Sequence, residues 1–148
     1  MNKFFCLAFL GVVAADHLPT GTYCGHDVPL KLGFKLSNVR ALVRDGTLEV
    51  DFDGVTSMHC RGDSMRQKYK LDGKKLTLQS DSKNNCINQW LPKHHIHIDS
   101  LKYNPSCKSF HLKISKKVSW FYTARRELDF EWKSDSLYSK CSAGHIVG

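Results

Sequence analysis

Apolar and charged residues alternate one by one along much of this chain, and that alternation limits its fold more than any other feature. Leu48, Val50 and Phe52 are separated by Glu49 and Asp51, and Phe110, Leu112 and Ile114 by His111 and Lys113. Leu128, Phe130 and Trp132 are interleaved with Glu127, Asp129 and Glu131, and Leu30, Leu32, Phe34 and Leu36 with Lys31, Gly33 and Lys35. Side chains on a strand point to opposite faces in turn, so each run presents one apolar and one wet face. Further strands are predicted over His95–Leu101 and Val118–Thr123, and no stretch of a dozen residues carries a helical repeat. Residues 81–93 read as the longest loop. The pattern predicts an all-β fold, a small antiparallel barrel or sandwich of about eight to ten strands.

Turn residues allow the register to be tested. Asp-Gly favours the two-residue type I′ hairpin loop. With Asp45-Gly46 as that loop, Val43 faces Leu48, Ala41 faces Val50 and Val39 faces Phe52, all on one side. Arg40 then meets Asp51 on the other side, an opposite-charge pair. With Asp72-Gly73 as a second such loop, Tyr69 faces Leu76 and Gln67 faces Leu78, at the cost of setting Lys70 against Lys75.

The N-terminus predicts export. Lys3 precedes the ten-residue apolar run Phe4–Val13, and Val13-Ala14-Ala15 supplies small residues for cleavage. This is the pattern of a signal peptide over residues 1–15, too short to span a bilayer as a helix. Residues 16–141 then form a single β-rich domain, and 142–148 a C-terminal tail. Five cysteines remain beyond the cleavage point: Cys24, Cys60, Cys86, Cys107 and Cys141. A secreted location predicts that most of them pair as disulfides. Phe34–Val39 echoes Leu112–Val118, and each echo is flanked by cysteines, which suggests Cys24–Cys60 and Cys107–Cys141 with Cys86 left over. Cys60–Cys86 is the competing pair. Asn104-Pro105-Ser106 carries the proline that blocks N-glycosylation.

The chemistry-bearing groups are sparse. The acidic stripes Glu49, Asp51, Asp53 and Glu127, Asp129, Glu131 lie on wet faces and fit cross-strand ion pairing better than acid–base catalysis. His95 and His97 share a strand face, and a metal there would need a third ligand such as His111, which no spacing fixes. Arg61-Gly62-Asp63 matches an adhesion tripeptide but is also ordinary turn composition. No nucleophile motif, phosphate loop or Cys-x-x-Cys occurs, so neither an enzyme nor a metal or other cofactor is expected.

What remains is binding. The net charge of +8 favours anionic surfaces. Trp120, Tyr122 and Trp132 are candidates for an apolar ligand, and Arg66, Lys68 and Lys70 for an anionic one. Gly21-Thr22-Tyr23, placed ahead of a series of hairpins, resembles the opening Gly-x-Trp of the lipocalins, with Tyr23 where that family has Trp. The resemblance implies an exported antiparallel barrel holding a small apolar ligand. The expectation is therefore a secreted, basic, non-enzymatic binding protein. Its partner would be a small ligand in a β-barrel, an anionic surface or an extracellular protein, with no nucleic acid and no membrane span. The alternative is a secreted inhibitor or effector acting on another protein through a disulfide-braced loop, 81–93 or 61–66.

Overall fold

The computed structural model describes residues 17–27, 37–44, 46–53, 57–62, 65–79 and 85–141. The Leu30–Leu36 alternation, Asp45, Asp63, the N-terminal leader and the 142–148 tail lie outside the described residues.

Among the described residues nine strands and one helix follow one another: β1 (Gly21–Asp27), β2 (Ser37–Arg44), β3 (Thr47–Asp53), β4 (Met58–Cys60), β5 (Gln67–Asp72), β6 (Lys75–Leu78), α1 (Cys86–Lys93), β7 (Ile96–Asn104), β8 (Ser109–Ser119) and β9 (Tyr122–Ser134). Every pairing is antiparallel. The order β2-β1-β9-β8-β7-β6-β5-β3 returns on itself through β2–β3, so eight strands close a barrel and β4 is an extra rung on β3. The seam between β6 and β7 is the thinnest, with Lys75–Lys102 as its one described pair. Of the two architectures the alternation allowed, the chain adopts the barrel.

The first hairpin has the register the turn chemistry predicts: Val43 pairs with Leu48, Ala41 with Val50 and Arg40 with Asp51. A bulge between Ser37 and Arg40 interrupts the Val39–Phe52 pairing. The second hairpin differs. Tyr69 pairs with Leu78 and Leu71 with Leu76, so the loop is Gly73-Lys74. That shift replaces the Lys70–Lys75 repulsion with an Asp72–Lys75 pair.

Two other expectations are corrected. Residues 86–93 are helical rather than looped, with Ile87, Trp90 and Leu91 on the barrel side. Residues 118–123 are not a separate strand: β8 runs to Ser119, Trp120 and Phe121 make the turn, and β9 starts at Tyr122.

The disulfides also correct the suggested pairing. Cys24 joins Cys141 and Cys60 joins Cys86, with Cα–Cα distances of 5.4 and 5.7 Å. The sheet order explains why Cys24 does not meet Cys60. β1 and β4 are separated by β2 and β3, about 14 Å at the spacing of neighbouring strands, beyond the reach of a disulfide. Cys141 instead lies in a C-terminal segment that folds back along β1 and β2. Thr22 Oγ1 donates to Ser136 O at 2.6 Å, and Arg40 Nη1 to Ser139 O at 3.3 Å. With Cys141 bonded to Cys24 and Cys86 to Cys60, the Cys107–Cys141 pair is excluded and Cys86 is not left over; no described cysteine is a free thiol. Two such bonds are compatible with an extracellular protein. Among the described residues, no helix is long and apolar enough to cross a membrane.

One end of the barrel is plugged. Tyr23, Tyr69 and Tyr103 are buried there, and burial raises the hydroxyl pKa of all three. Leu18 N–H donates to Tyr69 Oη at 2.8 Å, and Tyr23 Oη donates to Pro19 O at 2.7 Å, so residues 18–19 are held across the floor. Above them Phe110 stacks on Phe130 with centroids 4.7 Å apart, and Tyr23 packs on Phe110 at 5.3 Å.

Candidate functional site: an open apolar lumen

The other end of the barrel is not filled. A cavity of about 390 Å³ rises from the Phe110–Phe130 floor between Leu48, Leu101 and Leu128 and the upper wall of Val50, Phe52, Ile98, Leu112 and Ile114. The alternation places these side chains inward from β3, β7, β8 and β9. β7 needs one adjustment to contribute throughout. A bulge between Ile98 and Ser100 resets its phase, so Ile98 and Leu101 both line the lumen despite their odd spacing. The volume falls within the roughly 300–1,000 Å³ of small-molecule sites.

α1 forms one side of the mouth. Ile87, Trp90 and Leu91, at helical spacing, line the cavity. Trp90 meets Phe52 edge-on, packs against His94 with ring centroids 4.2 Å apart and planes tilted by 37°, and donates from Nε1 to Ser57 O at 3.0 Å. Cys60–Cys86 fastens the first residue of the helix to β4. Beneath it lies a buried amide. Gln67 is fully enclosed, donates from Nε2 to Gln79 O and accepts from Asn88 N–H at 3.2 Å, joining β5, the end of β6 and α1.

The β8–β9 hairpin forms the opposite side. Ile114 pairs with Arg126 and Lys116 with Ala124, which puts Arg126 on the lumen face. Lys116, Tyr122 and Arg125 complete the rim and are exposed, so the lumen opens at this end. No carboxylate is among the described residues lining the cavity.

The predicted binding residues do not form one site. Trp120 and Tyr122 are exposed at the β8–β9 tip, and only Tyr122 reaches the cavity rim. Trp132 lies at the plugged end, opposite Tyr23, donating from Nε1 to Thr20 O at 3.1 Å beneath the Lys108 ammonium. Arg66, Lys68 and Lys70 lie at and along β5, away from the tip, and Arg66 Nε stands 3.8 Å from Glu49. Sequence reasoning missed Trp90, Ile87, Gln67 and Arg126. Ile87, Trp90 and Leu91 did carry a helical spacing, but over only eight residues.

The remaining motifs are used structurally. Asp51 receives Arg40 at 3.3 Å, His59 at 2.7 Å and Arg61 at 3.5 Å, while His111 sits between Asp129 and Glu127. The acidic stripes are thus cross-strand ion pairs, as their alternation suggests. Gly62 N–H donates to Glu49 Oε1 at 2.7 Å, and the adhesion reading of Asp63 falls outside the described residues. His95 lies in a turn before β7, so it does not share a strand face with His97. No family model, curated protein or solved structure matches the chain.

Proposed function

We propose that this chain is a secreted, non-enzymatic carrier that holds a small apolar ligand in its barrel. The observation that supports this is the lumen: a closed sheet around an unfilled, aromatic-floored cavity that opens at one end. A protein that acted only through its outer surface would gain stability by filling that space, since a void forfeits packing contacts. The apolar run Phe4–Val13 and the disulfides Cys24–Cys141 and Cys60–Cys86 support export. The rim narrows the ligand class. Lys116, Arg125 and Arg126 stand at the mouth and no described carboxylate lines it, which favours an apolar body with an anionic or acceptor end pointing outward.

Titration with a dansylated fatty acid and with the matching dansylated amine tests this. Saturable binding is expected, with the acid about tenfold tighter than the amine. Ala124→Trp, which fills the lumen beside the rim, is expected to abolish it while leaving the circular dichroism unchanged. Absence of saturable binding, or binding indifferent to Ala124→Trp, would overturn the reading.

A further inference from the structure

The β8–β9 tip carries the most exposed aromatic cluster among the described residues. Trp120 is 86% and Phe121 76% exposed, Tyr122 and Val118 more than half. Trp120 and Phe121 meet each other edge-on at 5.2 Å. Leaving such area in water is unfavourable for the free protein, so the cluster calls for a partner. Its neighbours say which kind. Lys116-Lys117 and Arg125-Arg126 bracket Val118–Ala124 on both strands, and no acidic residue occurs between 116 and 126.

On the β7 side the hairpin also runs on past its neighbour. β7 pairs with β8 only as far as Ile96–Lys116, and the described pairing of β1 with β9 ends at Asp27–Leu128. Trp120 is four residues beyond Lys116, an extension of about 13 Å at strand rise.

We infer that this hairpin docks on an anionic lipid bilayer, with Trp120 and Phe121 entering the interface and the exposed cations Lys116, Lys117 and Arg125 meeting the headgroups. Interfacial elements bury apolar groups about 5–10 Å into the headgroup–acyl boundary, and Trp120 leads Lys117 by three residues, about 10 Å at strand rise. Tryptophan and tyrosine are the side chains most at home at that depth. Lysine and arginine lay their stems along apolar surroundings while their heads stay in the charged layer. Each cation contributes roughly fivefold to partitioning onto an anionic surface. This surface is separate from the basic stripe Arg66, Lys68 and Lys70, and it stands whether or not the lumen carries a ligand.

Co-sedimentation of the full chain with vesicles of phosphatidylcholine alone, and of phosphatidylcholine mixed with phosphatidylglycerol, tests it. The wild type is expected to partition strongly onto the mixed vesicles only. Trp120→Ser/Phe121→Ser is expected to lose at least about tenfold, and Lys116→Gln/Lys117→Gln about 25-fold. The exposure of the tip predicts unchanged melting of the aromatic variant. Quenching of the protein's emission by brominated phosphatidylcholine should disappear in Trp120→Phe. Equal partitioning onto both vesicles, an undiminished Trp120→Ser/Phe121→Ser variant, or retention on heparin with none on vesicles would each overturn the inference. The last two would assign the charge to general polyanion adhesion.

Discussion

Trp90 lies edge-on to Phe52, with ring centroids 5.6 Å apart and planes at 83°. Through this contact the only described helix becomes part of the lumen wall. An eight-residue helix does not persist alone in water, so α1 depends on what holds it. The holds are Cys60–Cys86, the Trp90–Ser57 hydrogen bond and the Gln67 amide. Cys60→Ala/Cys86→Ala removes the covalent one. By chain entropy alone it should cost about 3.5 kcal/mol. It should also free the helix, shifting Trp90 emission to the red and weakening the bound fatty-acid probe. Loss of stability with unchanged probe affinity would mean that the other two holds suffice to keep the mouth in shape.

Gln67 offers a sharper test of the same corner. Its amide is fully buried and serves Gln79 O and Asn88 N–H together. Gln67→Leu keeps the volume and orphans both partners. Each unsatisfied buried group costs about 1–3 kcal/mol, so a fall of roughly 2–6 kcal/mol in urea unfolding is expected. Gln67→Glu should fall at least as far, because it swaps the donor for a buried charge facing a carbonyl.

The plugged end should respond to alkali. Tyr23, Tyr69 and Tyr103 have hydroxyl pKa values raised by burial, and for Tyr23 and Tyr69 the neighbouring tyrosines add to the shift. The folded state therefore holds these protons more tightly than the unfolded chain, whose tyrosines ionise near pH 10. Their contribution is complete below about pH 10 and declines as pH rises through that value towards the folded pKa. Urea midpoints should drop on going from about pH 9 to pH 11, in step with phenolate absorbance. Tyr23→Phe should flatten the decline even though it is less stable at neutral pH through loss of the Pro19 hydrogen bond.

The contrast between the two hairpins shows how far the alternation reaches. At Asp45-Gly46 the apolar pairs and the Arg40–Asp51 pair agreed on one register, and the barrel uses it. At Asp72-Gly73 the loop sits one residue later, which slips the pairing by two. A slip of two keeps every side chain on its face, so Tyr69, Leu71, Leu76 and Leu78 still point inward and hydrophobic pattern alone had no power to choose. Closure through β2–β3 and the void it encloses depend on the whole ring, and no local window carries them. α1 escaped because eight residues fall short of a convincing helical repeat. The aromatic run Trp120–Tyr122 read as strand because its residues favour strands. Its place at a turn follows from how far β8 and β9 extend together.

Gly21 is where the Gly-x-Tyr opening meets the barrel. Its φ is +143°, and a Cβ there would lie 2.0 Å from Ser134 O and 2.8 Å from Trp132 Nε1. The backbone of β1 thus passes against the end of β9, and Trp132 is free to reach Thr20 O. Gly21→Ala must move backbone, and should destabilise by about 3 kcal/mol or more. Gly73 provides the control. It also has positive φ, +62°, but nothing lies within 4 Å of its would-be Cβ. Gly73→Ala should therefore cost only the left-handed penalty, about 1–2 kcal/mol. Urea denaturation of both variants separates the two causes. A Gly21→Ala cost no larger than that of Gly73→Ala would mean that β9 yields at Ser134, and that close approach is not why glycine opens β1.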